Sequence, residues 1–397
     1  LEALKGDEFI ELRGGHSHEG LQVCPLEENC LKAWIADMKG VSAFAVASQF
    51  ATRNPAHERQ AADIIKSISG KPVSTSHQLS AKLNGPKRAL TALLNARLIG
   101  MIDRLIRRAS DQLISLGIRA PMMVVRGDGA LISQEQARDK PIETILSGPA
   151  ASIVGASWLT HANNAIVSDI GGTTTDVALL KGGRPAIDPM GAQVGPYRTM
   201  VEAVTMRTTG LGGDSEVHLI FDSLESGVTL GPKRVLPVSL AAVENPDVVH
   251  AALDEQLKSS LPGELDGRFV RSTVFKPQAN LHDRDQRLLK KLETSLKPLG
   301  NVIANRLDRQ ALVRLVNWGL AEISALTPTD ASHVLGFTDV WDKMAAVKAL
   351  RIFGRQCTKA GVAFCNDATS LAQKIFDQLT HQTALALLET AFFEEVV

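Results

Sequence analysis

Charge of one sign is what this 397-residue chain most plainly lacks. Its 43 lysines and arginines are matched by 43 aspartates and glutamates, so no net field draws it to nucleic acid or to an anionic membrane. No apolar run approaches the roughly 20 residues that span a bilayer. The start is not a basic segment followed by an apolar one, so a cytoplasmic location and no membrane partner are expected. Cysteine is scarce: Cys24, Cys30, Cys357 and Cys365 are far from a Cys-x-x-Cys pattern, which argues against a disulfide framework or a zinc site. No tandem repeat or low-complexity run is present. What remains is an ordinary globular composition, 44% apolar and 22% charged, long enough for two or three domains. The chain opens at Leu1 and closes on Phe-Phe-Glu-Glu-Val-Val, and it reads as a piece of something longer.

The densest chemistry lies in residues 166–180, where an apolar strand, a Gly-Gly turn with three threonines between two aspartates, and a second apolar strand follow one another. Gly171 and Gly172 permit backbone approaches that a Cβ would forbid, so the N–H groups of the turn can face an anion. Thr173, Thr174 and Thr175 add hydroxyls for phosphate oxygens. Asp169 and Asp176 would repel a phosphate unless a hard cation such as Mg²⁺ sat between them, and the turn therefore points to a metal-nucleotide. It is neither a Walker loop, since no Gly-Lys-Ser/Thr follows, nor a Rossmann fingerprint, since a strand rather than a helix comes next. The bland alternative is a hairpin turn whose aspartate caps the backbone. The full string resembles the phosphate loops of the actin, sugar-kinase and heat-shock-chaperone ATPase superfamily.

Elsewhere, residues 40–50, a helix from His57 to about Ser69 and a strand at Pro72–Ser76 form a predicted βαβ unit. A helix from Pro86 to Leu116 is predicted to bury Leu90, Leu93, Leu94, Leu98, Ile102, Leu105, Ala109 and Leu113, with Gly117 just past its end. Residues 121–126 read as a buried strand. Asp128, in the Gly127-Asp-Gly129 turn that follows, either faces a ligand or caps the helix at Ser133. Ser147, Pro149 and the small residues Ala150, Ala151, Gly155 and Ala156 suit a thin helix that crosses closely against another element. A second glycine-rich turn, Thr208–Ser215, makes Gly212, Gly213 and Asp214 candidates for the same pocket. From about 246 to 326 the sequence turns to charged amphipathic helices, including one over 307–326. Thr327-Pro-Thr-Asp330 then forms a near capping box that requires no function.

Several strings occur together in one order: Pro72-Val-Ser-Thr-Ser-His77, Arg88 with Thr91-Ala-Leu-Leu-Asn-Ala96, Gly127-Asp-Gly129, Leu146-Ser-Gly-Pro-Ala150, Asp169–Asp176 and Thr327–Gly336. In that order the chain resembles the hydantoinase/oxoprolinase family. The resemblance implies α/β, actin-like (ribonuclease H-like) ATPase lobes with an inserted helical subdomain. The divisions expected are a first lobe with hinge helix at 1–156, a second lobe at 157–245, the insert at 246–345 and the rest of the second lobe at 346–397. It implies ATP and Mg²⁺ as cofactors and hydrolysis of a cyclic amide such as a hydantoin or 5-oxoproline, in an oligomer and with a possible second hydrolase subunit. The alternative is a nucleotide-binding subunit or regulatory module without its own turnover. Asp169 is expected on the metal, Asp169 and Asp176 in catalysis, and Gly171, Gly172, Thr173, Thr174, Gly212 and Gly213 on the nucleotide. His77, Asp128 and Asp214 are weaker candidates for the cleft or substrate. The family's first phosphate loop has no counterpart before residue 166, and its glycine-rich adenine-side segment has none after Ala346.

Overall fold

The computed structural model describes residues 2–4, 6–221, 227–273, 281–292, 295–357 and 361–395. They divide into two compact units, the first Leu1–Val167 with Ala178–Met206 and the second Ser168–Val177 with Arg207–Val397. Residues 178–206 thus pack with the first unit, not with a lobe that begins at 157.

The first unit opens with α1 (Glu28–Asp37), β1 (Phe44–Val46), α2 (Ala56–Ser69), β2 (Val73–Thr75), the short α3 (Ser76–Leu79) and α4 (Gly85–Ser115). β1 and β2 pair in parallel, Phe44 beside Val73, as a βαβ crossover requires. α2 lays Ala61 and Ile65 against Leu31, Ile35 and Phe44. α4 starts where the Asn84 side chain accepts from the Lys87 N–H, and it stops at Gly117 with φ +76°. Its inner face keeps Leu94 of the leucine stripe but is otherwise different: Arg88, Thr91, Ala92, Asn95, Ala96, Ile99 and Ile106 are buried, whereas Leu105 is exposed. Polar partners decide the rotation. Asn95 donates to Ser74 Oγ at 3.0 Å and to Asp139 O at 3.2 Å while accepting from Ile142 N at 3.0 Å, bonds that a buried amide must make.

A hairpin of β3 (Met123–Val125) and β4 (Leu131–Ser133), then α5 (Gln134–Asp139) and α6 (Ser147–Thr160), lead to β5 (Ala165–Ile170) and β6 (Thr175–Lys181). α6 buries Ala150 and Ile153 on Ala178, Leu180 and Val204. Its glycines are not sites of tight crossing, since a Cβ at Gly148 or Gly155 would meet nothing within 4 Å among the described residues. The close approach is instead at Gly129, where a Cβ would lie 2.6 Å from Val154 Cγ2. The short β7 (Arg184–Pro185), β8 (Gln193–Val194) and β9 (Tyr197–Arg198) follow.

The second unit adds β10 (Met206–Thr209), β11 (Ser215–Ile220), β12 (Gly227–Arg234), β13 (Leu236–Pro237), α7 (Val238–Glu244), α8 (Pro246–Lys258), β14 (Phe269–Ser272), α9 (Asp283–Leu292), β15 (Lys297–Pro298), α10 (Arg306–Asn317), β16 (Ala321–Ala325), α11 (Pro328–Leu335), α12 (Lys343–Gly354) and α13 (Ala368–Glu395). The glycine hairpin lies in a sheet ordered β10-β6-β5 with β7 beside β6, and a second sheet runs β13-β16-β14-β15. Among the described residues, 246–345 carry the helices α8 to α11 together with the short strands β14, β15 and β16. The helix expected over 307–326 ends at Gly319, φ +68°, and the chain re-enters as β16, whose Ala-Glu-Ile-Ser-Ala sequence has little β-propensity of its own. Pairing with β14 stabilises it, a strand buried on both faces with Val270 in one apolar cluster and Phe269 in another.

Asp330 joins two helix starts. It completes the capping box of Thr327 and also accepts from the N–H groups of Val238 at 3.2 Å and Ser239 at 2.8 Å, at the first turn of α7. Burial pushes its carboxyl above the usual range, against the donors that favour the charged form. Asp330→Ala would leave several buried N–H groups unpaired and is expected to cost about 3 kcal/mol, read as a lower denaturation midpoint. Asp330→Asn, which keeps an acceptor oxygen, should cost less.

Candidate functional site

Within the second unit, residues 171–174 close the β5–β6 hairpin through Gly171 N–H to Thr174 O at 2.9 Å. The turn rests on the second glycine-rich loop. Gly213 N–H donates to Gly171 O at 3.1 Å and Asp214 N–H to Gly172 O at 2.8 Å. In a planar trans peptide the C=O and the following N–H point opposite ways. Holding those two carbonyls therefore turns the N–H groups of Gly172 and Thr173 outward. Residues 171–173 are exposed, and among the described residues neither outward N–H has a protein acceptor.

Close approach, not left-handed backbone, is why glycine stands here. A Cβ at Gly212 would sit 2.5 Å from Gly172 O, one at Gly172 would sit 2.8 Å from Asp214 Oδ2, and one at Gly213 would sit 2.8 Å from Thr329 Oγ1. Thr175 Oγ1 donates to Leu211 O at 2.8 Å, and Gly212 N–H donates to Ser215 Oγ at 2.9 Å.

The two aspartates of the hairpin differ. Asp176 accepts from Thr208 Oγ1 at 2.6 Å and from Thr174 Oγ1 at 3.3 Å, so it ties β6 to β10 and the turn. The Asp169 carboxylate has no hydrogen-bond or ion-pair partner among the described residues. Asp214 is 8% exposed. Thr329 Oγ1 reaches its Oδ1 at 3.3 Å, and Arg234 donates to its Oδ2 from Nε and Nη2, each at 3.2 Å. Among the described residues, no group of three or more His, Cys, Asp or Glu side chains is placed to hold a metal. A cation would need ligands from phosphate and water beside Asp169.

Asp169, Asp176, Gly171, Gly172, Thr173, Thr174, Gly212, Gly213 and Asp214 thus lie in one unit, and the two loops are in direct contact. His77 and Asp128 belong to the first unit and are occupied there. The fully buried Glu58 accepts from Ser48 N at 2.7 Å, Ser76 Oγ at 2.6 Å and His77 N at 2.9 Å, with His77 Nδ1 at 2.7 Å. Asp128 takes Arg126 Nε at 2.9 Å and Ala130 N–H at 3.0 Å. It caps its own turn, not the α5 start, which Ser133 caps with Gln136. Sequence reasoning missed Thr329, whose N–H and hydroxyl both donate to Gly213 O at 2.8 Å. The Thr327-Pro-Thr-Asp string carried that signal but was fully explained by capping. Arg234 had no signal beyond its position after the second loop.

Gly212→Ala is expected to destabilise the second unit by about 2 kcal/mol or more through overlap with backbone, whereas Gly155→Ala, inside α6 with open space around it, should be neutral or stabilise by up to about 1 kcal/mol; thermal unfolding of both variants checks the contrast. The Arg126 hydrogen bond, opposed by burial, holds the Asp128 carboxyl below its ordinary value. Its stabilising contribution is present above the unfolded value near 4 and is lost as pH falls through the lower folded one. Asp128→Asn should therefore cost about 1 kcal/mol at pH 7, and the gap from wild type should close in denaturant titrations below about pH 4.

Known proteins share this sequence and fold. The sequence profile described as Hydantoinase/oxoprolinase matches residues 88–340, and that of the Hydantoinase/oxoprolinase N-terminal region matches residues 2–69. The caprolactamase subunit alpha of Pseudomonas jessenii is 28% identical over 207 residues, 51% of this chain and 30% of that protein. The acetophenone carboxylase gamma subunit of Aromatoleum aromaticum is 25% identical over 251 residues, 59% of this chain and 33% of that protein. The crystal structure of the ATP-dependent caprolactamase from Pseudomonas jessenii superposes with a TM-score of 0.55 at 22% identity, over 95% of this chain and 44% of that one. The chain spans less than half the length of these relatives, and over that span its mixed α/β fold is similar to that of the caprolactamase structure. With its profile covering most of the sequence, the chain belongs to the hydantoinase/oxoprolinase family.

Proposed function

We propose that this chain carries the phosphate-binding part of an ATP-dependent hydrolase that opens a cyclic amide of the hydantoin or 5-oxoproline class. The observation that carries the reading is the pair of outward, unpartnered N–H groups at Gly172 and Thr173 beside a carboxylate, Asp169, that is also without a partner among the described residues. Outward amides suit phosphate oxygens, and a free carboxylate suits the Mg²⁺ that accompanies them. The strand, glycine turn and strand suit an actin-like ATPase lobe, and a structural neighbour is described as ATP-dependent. A lactam carbonyl is a poor electrophile. Transfer of the terminal phosphoryl group of ATP to its oxygen, with ADP leaving, would make the ring carbon open to water. The ring C–N bond of the resulting adduct then breaks with the nitrogen leaving as a protonated amine, and a second water hydrolyses the acyl phosphate to carboxylate and phosphate.

In this scheme Gly171 and Gly172 admit the phosphates, the Gly172 and Thr173 amides and the Thr173 hydroxyl hold them, Thr174 braces the turn through its hydrogen bond to Asp176, and Asp169 orients the bound Mg²⁺ directly or through its water. Asp176 acts through the turn it braces. Gly212 and Gly213 support the turn from beneath, and Asp214 stands at its edge. A second reading, a nucleotide-binding subunit without its own turnover, is favoured by the names of the relatives, which are subunits of a caprolactamase and a carboxylase.

Phosphate release in the presence of Mg-ATP and a panel of hydantoin, 5-oxoproline and caprolactam separates the two. Ring-dependent release supports the hydrolase, and ATP binding without release supports the subunit. Asp169→Ala is expected to lower turnover about 100-fold or more without shifting the unfolding midpoint. Unchanged turnover in that variant would contradict the role given to Asp169.

A further inference from the structure

Resting on the nucleotide reading above, we propose that Arg234 contacts the terminal phosphate of the bound nucleotide and so distinguishes triphosphate from diphosphate. Arg234 ends β12 and its side chain is 61% exposed, yet it is not free to wander. Its Nε and Nη2 both rest on one oxygen, Asp214 Oδ2, at 3.2 Å. That same oxygen lies where a Cβ of Gly172 would come within 2.8 Å. The guanidinium is thus two contacts away from the turn whose amides face outward.

Using Nε–H and one Nη2–H on a single oxygen leaves the rest of the five-donor fork without a protein acceptor among the described residues. Asp214 is itself fixed, with Thr329 Oγ1 on its other oxygen and its N–H on Gly172 O. A buried carboxylate would repel a phosphate placed at the turn. A guanidinium that neutralises it on one side and still offers donors on the other converts that liability into a clamp. Arginine suits this better than lysine, since its planar fork can serve the carboxylate and a phosphate at once.

The test is calorimetric titration of the chain, of Arg234→Gln and of Arg234→Lys with ATP and with ADP at matched Mg²⁺. Arg234→Gln is expected to weaken ATP binding about 10-fold or more while leaving ADP within about 2-fold, and Arg234→Lys should recover part of the loss, on the scale of a charge-assisted hydrogen bond. Equal loss for both nucleotides would mean that Arg234 only neutralises Asp214 and supports the turn, and no loss would mean that it touches neither; either result overturns the proposal. If the wild-type chain binds neither nucleotide, the nucleotide reading itself fails and this proposal falls with it.

Discussion

Two backbone hydrogen bonds, from Gly213 N–H to Gly171 O and from Asp214 N–H to Gly172 O, set the chemistry of the second unit. They fix which way two peptide planes face. Once the carbonyls are committed inward, the next amides have no choice but to point out. No side chain at 171, 172, 212 or 213 is available to do this, and at 172, 212 and 213 a Cβ would collide. Glycine serves here by its absence of bulk; none of the four lies in the left-handed region.

The rest of the unit holds that contact in place. Thr329 reaches the second loop from the first turn of α11, and Asp330, one residue on, ties the start of α11 to the start of α7. Those helices stand on an apolar cluster that includes Leu211, Val217, Leu326, Ala331 and Leu350. A string first legible as a helix cap therefore also carries the support of the second glycine-rich loop. Capping and function are not alternatives here, because the capping geometry is what aims Thr329.

Much of the fold was legible where local signals agree. The glycine hairpin, α2, α4 and the Thr327 capping box follow from turn residues and periodicity. The inner face of α4 was not, since Arg88, Thr91 and Asn95 are buried by partners far along the sequence and no periodicity in apolar residues reports them. β14 and β16 were lost for a related reason, being short and made strands by what covers them. At the site, the residues of both glycine loops were named from sequence, and their contact was a guess from nearness. The distinction between Asp169 and Asp176 depends on Thr208, 32 residues on, which no local reading could assign. His77 and Asp128 were drawn in by their motifs, and each turns out to be occupied by hydrogen bonds of the first unit.

The central claim is that the Gly172 and Thr173 amides receive phosphate oxygens. Recording the backbone amide resonances of the chain while Mg-ATP is added tests it without relying on turnover. Saturable shifts at Gly172 and Thr173, larger than those at the Gly182–Gly183 turn between β6 and β7, are the expected result. Shifts confined to other residues, with these two amides unmoved at saturation, would contradict it.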